Sequence, residues 1–362
     1  MSRTFLPGAL LALCAVCGGA AHAEPPPYAA VTADRTLTFP ADYGSHPDFR
    51  TEWWYVTGWL TGPKGERLGF QVTFFRTKPP IDNGNTSAFA PRQLLIAHCA
   101  LSDPAHGRLR QDQRIRRTGF DLADAKVGDT HVWIGDWSLR RDAAEGRYHT
   151  QIDADEFGLD LTLANSQTPL LNGTAGMSRK GPAAQSASYY YSLPHMSVTG
   201  SVTRDGSRTP VRGEAWFDHE WSSEYLDGTA IGWDWIGINL DDGAALMAFR
   251  IRGTDGETHW AGGTWRSAAG EVQTFGPDQV AFESRQTWTS TRTGLVYPMG
   301  WRVRAGTRTF ELEPLFADQE NDTRLSTGAI YWEGAVQALQ EHRVVGRGYL
   351  ELTGYGERLR LR

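Results

Sequence analysis

Cysteine is scarce in this 362-residue chain: there are three, and two of them, Cys14 and Cys17, fall close to the N-terminus. Residues 1–23 read as a signal peptide. Arg3 supplies a short positive region, Leu6 to Ala21 an apolar stretch, and Ala21-His22-Ala23 the small-x-small cleavage pattern before Glu24. Cleavage would leave Cys99 alone, which excludes an intrachain disulfide and makes packing the source of stability. Cys99 lies in the strand-like run LLIAHCALSD and reads as a small buried hydrophobe. Long apolar runs are also missing. The leader is broken by Pro7 and Gly8, and no other run approaches the roughly 20 apolar residues that a spanning helix needs. No transmembrane segment is therefore expected after cleavage, and the expected location is periplasmic or secreted. The alternative is a lipoprotein attached at Cys14 or Cys17, although the residues before each fit a lipoprotein box poorly.

A basic stripe is absent too: the formal net charge is −6 with both signs mixed along the chain, which argues against nucleic acid as a partner. There is no Gly-x-Ser-x-Gly elbow, phosphate loop or dinucleotide fingerprint, so no cofactor is expected. The ten histidines show neither His-x-His nor HExxH spacing, and His219-Glu220 lacks a second histidine four residues after the first. No metal site is expected. Long stretches of 3.6-residue periodicity are missing as well, with short helical turns expected only around Thr36 to Asp42 and Arg117 to Asp124.

What the chain has in abundance is short alternating runs, such as LGFQVTFFRT, GLDLTLAN, MSVTGSVTR and ALMAFRIRG, punctuated by Gly, Asp, Asn and Pro. Asp205-Gly206, Asp242-Gly243 and Asp255-Gly256 each sit between two such runs, as hairpin turns do. An all-β chain of this length hides its strand edges best in closed barrels, and two antiparallel β-barrels packed together account for it. Residues 24–49, rich in Pro and Ala, read as a linker or N-terminal arm, with ordered structure from about Arg50. The first barrel is expected over 50–222 and the second over 223–362.

Tryptophan is the other abundance, 14 residues, and it recurs beside acids in TEWWY (Thr51 to Tyr55), DHEW (Asp218 to Trp221), WDW (Trp233 to Trp235) and YWEG (Tyr331 to Gly334). In a strand, residues i and i+2 share a face. Glu52 therefore shares a face with Trp54, His219 with Trp221, Asp218 with Glu220, and Trp233 with Trp235. Which face points inward is left open by the sequence. A carboxyl group held among indoles loses hydration, so its pKa rises and it can donate a proton near neutrality. Indole faces can stabilise a developing cation. The competing reading pairs each acid with an arginine, for which Arg50, Arg76 and Arg250 are at hand. The candidate catalytic residues are Asp218, His219, Glu220 and Trp221. The candidate ligand-binding residues are Glu52, Trp54, Tyr191, His195, Trp233, Trp235, Tyr331 and Glu333, with His195 expected at a cavity mouth.

The segments FRTEWWYVTGWL, LGFQVTFFR, WFDHEW, GWDWIGINLDDG, YWEG and GRGYLELTGY, in that order from about Arg50 to Tyr355, resemble those of the AttH-like and carotenoid 1,2-hydratase family, often labelled predicted secreted hydrolases. The resemblance implies two lipocalin-like (calycin) barrels and a cofactor-independent protein that handles greasy, unsaturated molecules. Relatives of that architecture include hydratases of terminal isoprenoid double bonds and pericyclases. In the hydratases a proton-donating aspartate is assisted by a His-x-Trp pair and a tyrosine. His219 and Trp221 match the pair, whereas the region expected to carry the aspartate and tyrosine reads Leu246-Met247-Ala248-Phe249. The expected partner is a hydrophobic small molecule or lipid of isoprenoid, carotenoid-like or acyl type. If the protein is an enzyme, it is a hydratase. The alternative is a non-catalytic structural or attachment-related protein of the cell envelope.

Overall fold

The structure, a computed structural model, describes residues 28–79, 85–87 and 89–358. The signal peptide expected over 1–23 lies outside the described residues. Within them the chain is all-β, with two antiparallel sheets of thirteen and ten strands and two short 3-10 turns, Ala41–Tyr43 and Pro277–Gln279. No helix among the described residues is long and apolar enough to cross a membrane.

The main path of the first sheet runs through Leu109–Arg117, Leu94–Ser102, Arg67–Thr77, Thr51–Thr61, Ser207–Ser222, Ala187–Arg204, Phe157–Ala164, Tyr148–Asp153, Trp137–Arg141, His131–Ile134 and Ala123–Ala125. That of the second runs through Val272–Phe275, Thr258–Arg266, Ala245–Gly253, Ala230–Leu240, Arg343–Leu352, Ala329–Gln340, Arg308–Pro314, Val296–Ala305 and Val280–Thr289. In each sheet the first strand pairs on one side with its hairpin neighbour and on the other with the last long strand: Thr51–Thr61 with Ser207–Ser222, and Ala230–Leu240 with Arg343–Leu352. Each sheet curls round its own apolar core. Across the mouth of the first, Arg114 bonds Asp136 and the Asp153 carbonyl, drawing the edges towards one another. The result is two lipocalin-like barrels packed together.

The hairpins fall where Asp-Gly pairs mark them. Asp205 and Gly206 both take positive φ, 51° and 74°, between Ala187–Arg204 and Ser207–Ser222, the backbone that a two-residue turn requires. Cys99 is fully buried in the first core, as its surroundings in the sequence suggested.

The N-terminal arm behaves differently from a linker. Leu37 and Phe49 join the first core, Ala29 N–H donates to the Asp48 carbonyl, and the Tyr189 hydroxyl bonds both backbone and side chain of Thr32. Ordered structure thus begins well before Arg50. The arm is held because the first barrel contains buried charges whose partners it carries.

A third apolar cluster fills the seam between the barrels. Tyr55, Trp59, Tyr190 and Trp216 from the first sheet meet Trp235, Met247, Phe249 and Tyr349 from the second. Trp59 Nε1 donates to the Gly348 carbonyl (3.0 Å), Asn239 Nδ2 to the Ala215 carbonyl (3.2 Å), and His98 Nδ1 bonds the Tyr331 hydroxyl (3.1 Å).

Candidate functional site

The pairing register sorts the acid and aromatic residues. Glu52 pairs with Trp221 and Trp54 with His219, while Trp53 pairs with Glu220 and Tyr55 with Asp218. Strand alternation then sends the first group into the barrel and the second out to the seam. TEWWY and DHEW therefore build two different clusters, back to back through one sheet.

The inner cluster centres on Glu52, which is fully buried. Its Oε2 accepts from Arg76 Nε (2.8 Å) and from His46 N–H (2.9 Å), and its Oε1 bonds His46 Nδ1 (2.7 Å) and His219 Nε2 (2.9 Å). Arg76 Nη2 also donates to the carbonyls of His46 (2.8 Å) and Phe49 (3.0 Å). His46 reaches Asp42 through Nε2 (2.9 Å), and Asp42 is bonded by Arg35 (2.6 Å). The His46 ring stacks on Trp221 with centroids 3.7 Å apart. Burial would raise the Glu52 pKa, but the charges of Arg76 and His46 outweigh it and hold it well below the usual range. Burial likewise opposes ionisation of Asp42, yet hydrogen bonds from His46, Thr38 and Arg35 hold it at about 2. His46 is raised despite its burial, because it lies between the two carboxylates. His219 is lowered by burial, which fits a neutral ring that donates to Glu52 and accepts from the Tyr191 hydroxyl (3.1 Å).

Donor atoms of His46, Glu52 and His219 lie within 4.8 Å of one another, close enough to raise the question of an ion. Both His46 nitrogens are engaged by carboxylates, and a guanidinium occupies the other Glu52 oxygen. A cation would have to displace the shared protons and sit beside Arg76. The donor set fits a hydrogen-bonded clasp better than a metal centre.

The outer cluster faces the second barrel and lines a chamber of about 50 Å³. Trp53, Tyr55, Tyr190, Tyr225, Trp233, Trp235 and Tyr331 supply its aromatic walls. Four carboxyl groups face it: Asp218 and Glu220 from the first barrel, Glu333 and Glu351 from the second. Asp218 accepts from Tyr190 (2.6 Å), Ser192 (2.5 Å) and Trp216 Nε1 (2.7 Å). Burial outweighs these bonds and pushes its pKa up to about 7. Glu351, which accepts from Trp233 Nε1 (2.8 Å), is also pushed by burial to about 7, with the charges of Asp218 and Glu220 adding to the effect. Glu333 is raised well above the usual range by burial and by the charge of Glu351, its cross-strand neighbour. Glu220 is raised by burial, although Lys180 Nζ lies 2.8 Å away. The chamber shares Trp53, Phe75, Trp233, Tyr331 and Glu351 with an adjoining groove of about 230 Å³, whose walls include Leu94, Ile96, Ile115 and Ala329. Chemically, this is an apolar approach ending in carboxylic acids able to give up a proton near neutral pH.

Of the residues singled out from the sequence, Asp218, Glu220, Trp233, Trp235, Tyr331 and Glu333 come together in the chamber. His219 and Trp221, which sequence reasoning had grouped with Asp218 and Glu220, point the other way into the first barrel with Trp54 and Tyr191. Glu52 anchors the inner cluster and also contributes to the groove wall. His195 lies apart, at an irregularity of its strand with φ of 55°, bonding Glu214 (2.8 Å) and the Ala244 carbonyl (2.9 Å). The arginine-pairing reading holds for Glu52 with Arg76 and for Asp234 with Arg250. It does not hold for the chamber acids.

Several chamber residues escaped the sequence reading. Tyr190 and Glu351 carried a usable signal: alternation puts Tyr190 on the face opposite Tyr191, and Glu351 alternates with buried Leu350 and Leu352. Lys180 and His46 carried none, since each reaches its cluster from a segment without recognisable pattern.

The arrangement defines a class: an all-β protein of two lipocalin-like barrels with a buried acid and aromatic cavity in the seam. The AttH-like family model matches residues 30–355, and the chain belongs to that family. A crystal structure of a candidate AttH protein from Nitrosomonas europaea is 54% identical, with a TM-score of 0.85, over 90% of this chain and 99% of that one. Kievitone hydratase from Nectria haematococca has a TM-score of 0.67 at 16% identity, over 91% of this chain and 96% of its own. CghA in complex with Sch210972 has a TM-score of 0.52 at 14% identity, over 84% of this chain and 88% of that one. At such low identity these last two share the fold alone. No curated protein matches the chain.

Proposed function

We propose that this is an exported protein that binds a hydrophobic ligand of isoprenoid or acyl type in the groove and chamber between its barrels, and that it adds water to an unactivated alkene there. The observation that carries this reading is Asp218, a carboxylic acid with a pKa near 7 in a chamber walled by tyrosines and tryptophans. The protonated carboxyl would deliver its proton to the less substituted carbon of the double bond. Indole and phenol faces would stabilise the tertiary cation, water would add to it, and a chamber carboxylate would take up the proton released. Alkene and water are consumed, an alcohol is formed, and no cofactor is required. The hydratase among the structural neighbours is consistent with this chemistry. Export rests on the leader read from the sequence.

The test is incubation of the purified protein with acyclic isoprenoids bearing terminal double bonds, in ordinary and 18O-labelled water. A labelled alcohol formed by the native protein and lost in Asp218→Asn supports the reading. Absence of any apolar ligand in extracts of the protein, together with no turnover, would sink it.

A further inference from the structure

We propose that the chamber is built to hold an organic cation, the ammonium headgroup of an amphiphile whose apolar tail lies along the adjoining groove. This rests on the same reading of the seam as a ligand site and names the class of molecule that fits it. Four carboxyl groups converge on the chamber, and among the described residues the only cation paired with any of them is Lys180, on Glu220. The inner cluster, one residue away along the same strands, matches its two acids with two arginines and a histidine. The surplus of acid on the seam side is therefore a property of the chamber.

The walls suit a cation for a second reason. Ring faces attract a desolvated cation within about 6 Å of their centroids, and this seam already holds one in that manner. Lys180 Nζ lies 4.8 Å from the Tyr190 ring, 5.1 Å from Tyr225 and 4.2 Å from Phe249, with Glu220 as its counter-ion. Tyr190, Tyr225 and Glu220 also wall the chamber, beside Trp233 and Glu351. The recipe that binds the lysine ammonium is thus continued into the cavity. A third pointer is Glu333, 2% exposed, whose carboxyl lies beside the Tyr55 and Tyr331 hydroxyls but whose Oε1 forms no hydrogen bond of ordinary geometry with them. A ligand N–H or a methylated ammonium would meet that oxygen. A neutral hydrocarbon would offer that one oxygen no donor. The groove, lined by Leu94, Ile96 and Ile115, supplies the place for a tail.

Dodecyltrimethylammonium, below its micelle concentration, can be compared by calorimetry with its uncharged tert-butyl isostere and with dodecyl sulfate. The full chain is expected to bind the ammonium about tenfold or more tighter than the isostere, and the sulfate not at all. Glu351→Gln should reduce ammonium binding by about tenfold and leave the isostere unaffected. The groups facing Glu351 are Asp218 and Glu220 across the seam, the latter with Lys180, then Glu333 on the neighbouring strand, the Tyr55, Tyr225 and Tyr331 phenols, and the Trp233 indole. A cation favours their ionised forms, so its affinity should rise from about pH 6 to about pH 8 with release of protons. This measurement uses the native protein and stands if the variant fails to fold. Equal binding of ammonium and isostere, or ammonium binding that is flat with pH, would overturn the inference. Turnover of an alkene without ammonium binding would overturn it too, leaving the proposed reaction intact. Tight, pH-dependent ammonium binding without turnover would uphold it and remove the reaction.

Discussion

Two sets of acids sit on opposite faces of the same pair of strands. Glu52 faces into the first barrel, where Arg76, His46 and His219 meet it, and its pKa is driven down. Asp218 and Glu220 face the second barrel, where burial dominates and both are driven up. Burial is nearly complete on both sides, so depth alone does not decide an acid's chemistry. The supply of partners does. Where cations match the acids the cluster is a structural clasp that ties the N-terminal arm into the barrel. Where they do not, it is a store of protons facing a cavity.

The largest effect should come from breaking the matched side. Glu52→Ala leaves Arg76 as an uncompensated buried charge and His46 with Asp42 as its one remaining carboxylate, which costs about 3–5 kcal/mol. Urea denaturation should show that loss, and limited proteolysis should show the segment 28–50 becoming cleavable. If the arm stayed protected and stability fell by less than about 1 kcal/mol, the clasp would be of no consequence.

On the unmatched side the expected effect has the opposite sign for stability. Asp218→Asn should cut alkene turnover by about a hundred- to a thousandfold, the loss of one general acid. Above neutral pH it should also raise stability by about 1–2 kcal/mol, because a buried carboxylate no longer has to form. Loss of both activity and stability would place Asp218 with the structural acids instead.

The two sides also respond to pH in opposite directions. Asp42, held at about 2, and Glu52, held well below its ordinary value, contribute stability that is present above the usual carboxylate range and lost as pH falls through their folded values. Asp218 and Glu351, raised to about 7, contribute stability that is full below the ordinary carboxylate value and lost as pH rises through about 7. His46 is raised as well, so its contribution also fades on the alkaline side. A maximum between roughly pH 4 and pH 7 is expected from these signs, with Glu351→Gln flattening the alkaline decline by about 1–2 kcal/mol. A variant whose alkaline decline matched that of the native protein would assign the decline to Asp218 and His46.

Much of this division was legible in the sequence, because a strand's period of two is rigid. Alternation sorted Glu52 with Trp54, His219 with Trp221, and Asp218 with Glu220 before any register was known. What alternation cannot supply is the sign of the face, since both sides of these strands are buried and both carry aromatics. Register resolves it: Glu52 opposite Trp221 and Arg76 forces that face inward. The arm was misread for a different reason. Its Pro- and Ala-rich start suggests a linker, and the tie that orders it, His46 to Glu52, depends on a contact between a loop and a barrel interior that has no periodic trace. Catalysis was expected of four consecutive residues, Asp218 to Trp221, although four consecutive strand residues cannot all face one cavity.

The smallest effect tests whether pairing matters without burial. Arg208 and Asp160 form an ion pair at 2.6 Å, but their side chains are 67% and 63% exposed. Water screens such a pair and the long arginine side chain loses entropy in forming it, so Asp160→Ala should change stability by no more than about 0.5 kcal/mol. The geometry of this pair is at least as short as that of Glu52 with Arg76 at 2.8 Å. A tenfold difference in cost between the two deletions would therefore come from the solvent that one pair has lost and the other has kept. If deleting the exposed pair cost as much as deleting the buried one, partner supply at the seam would no longer explain why its acids are raised.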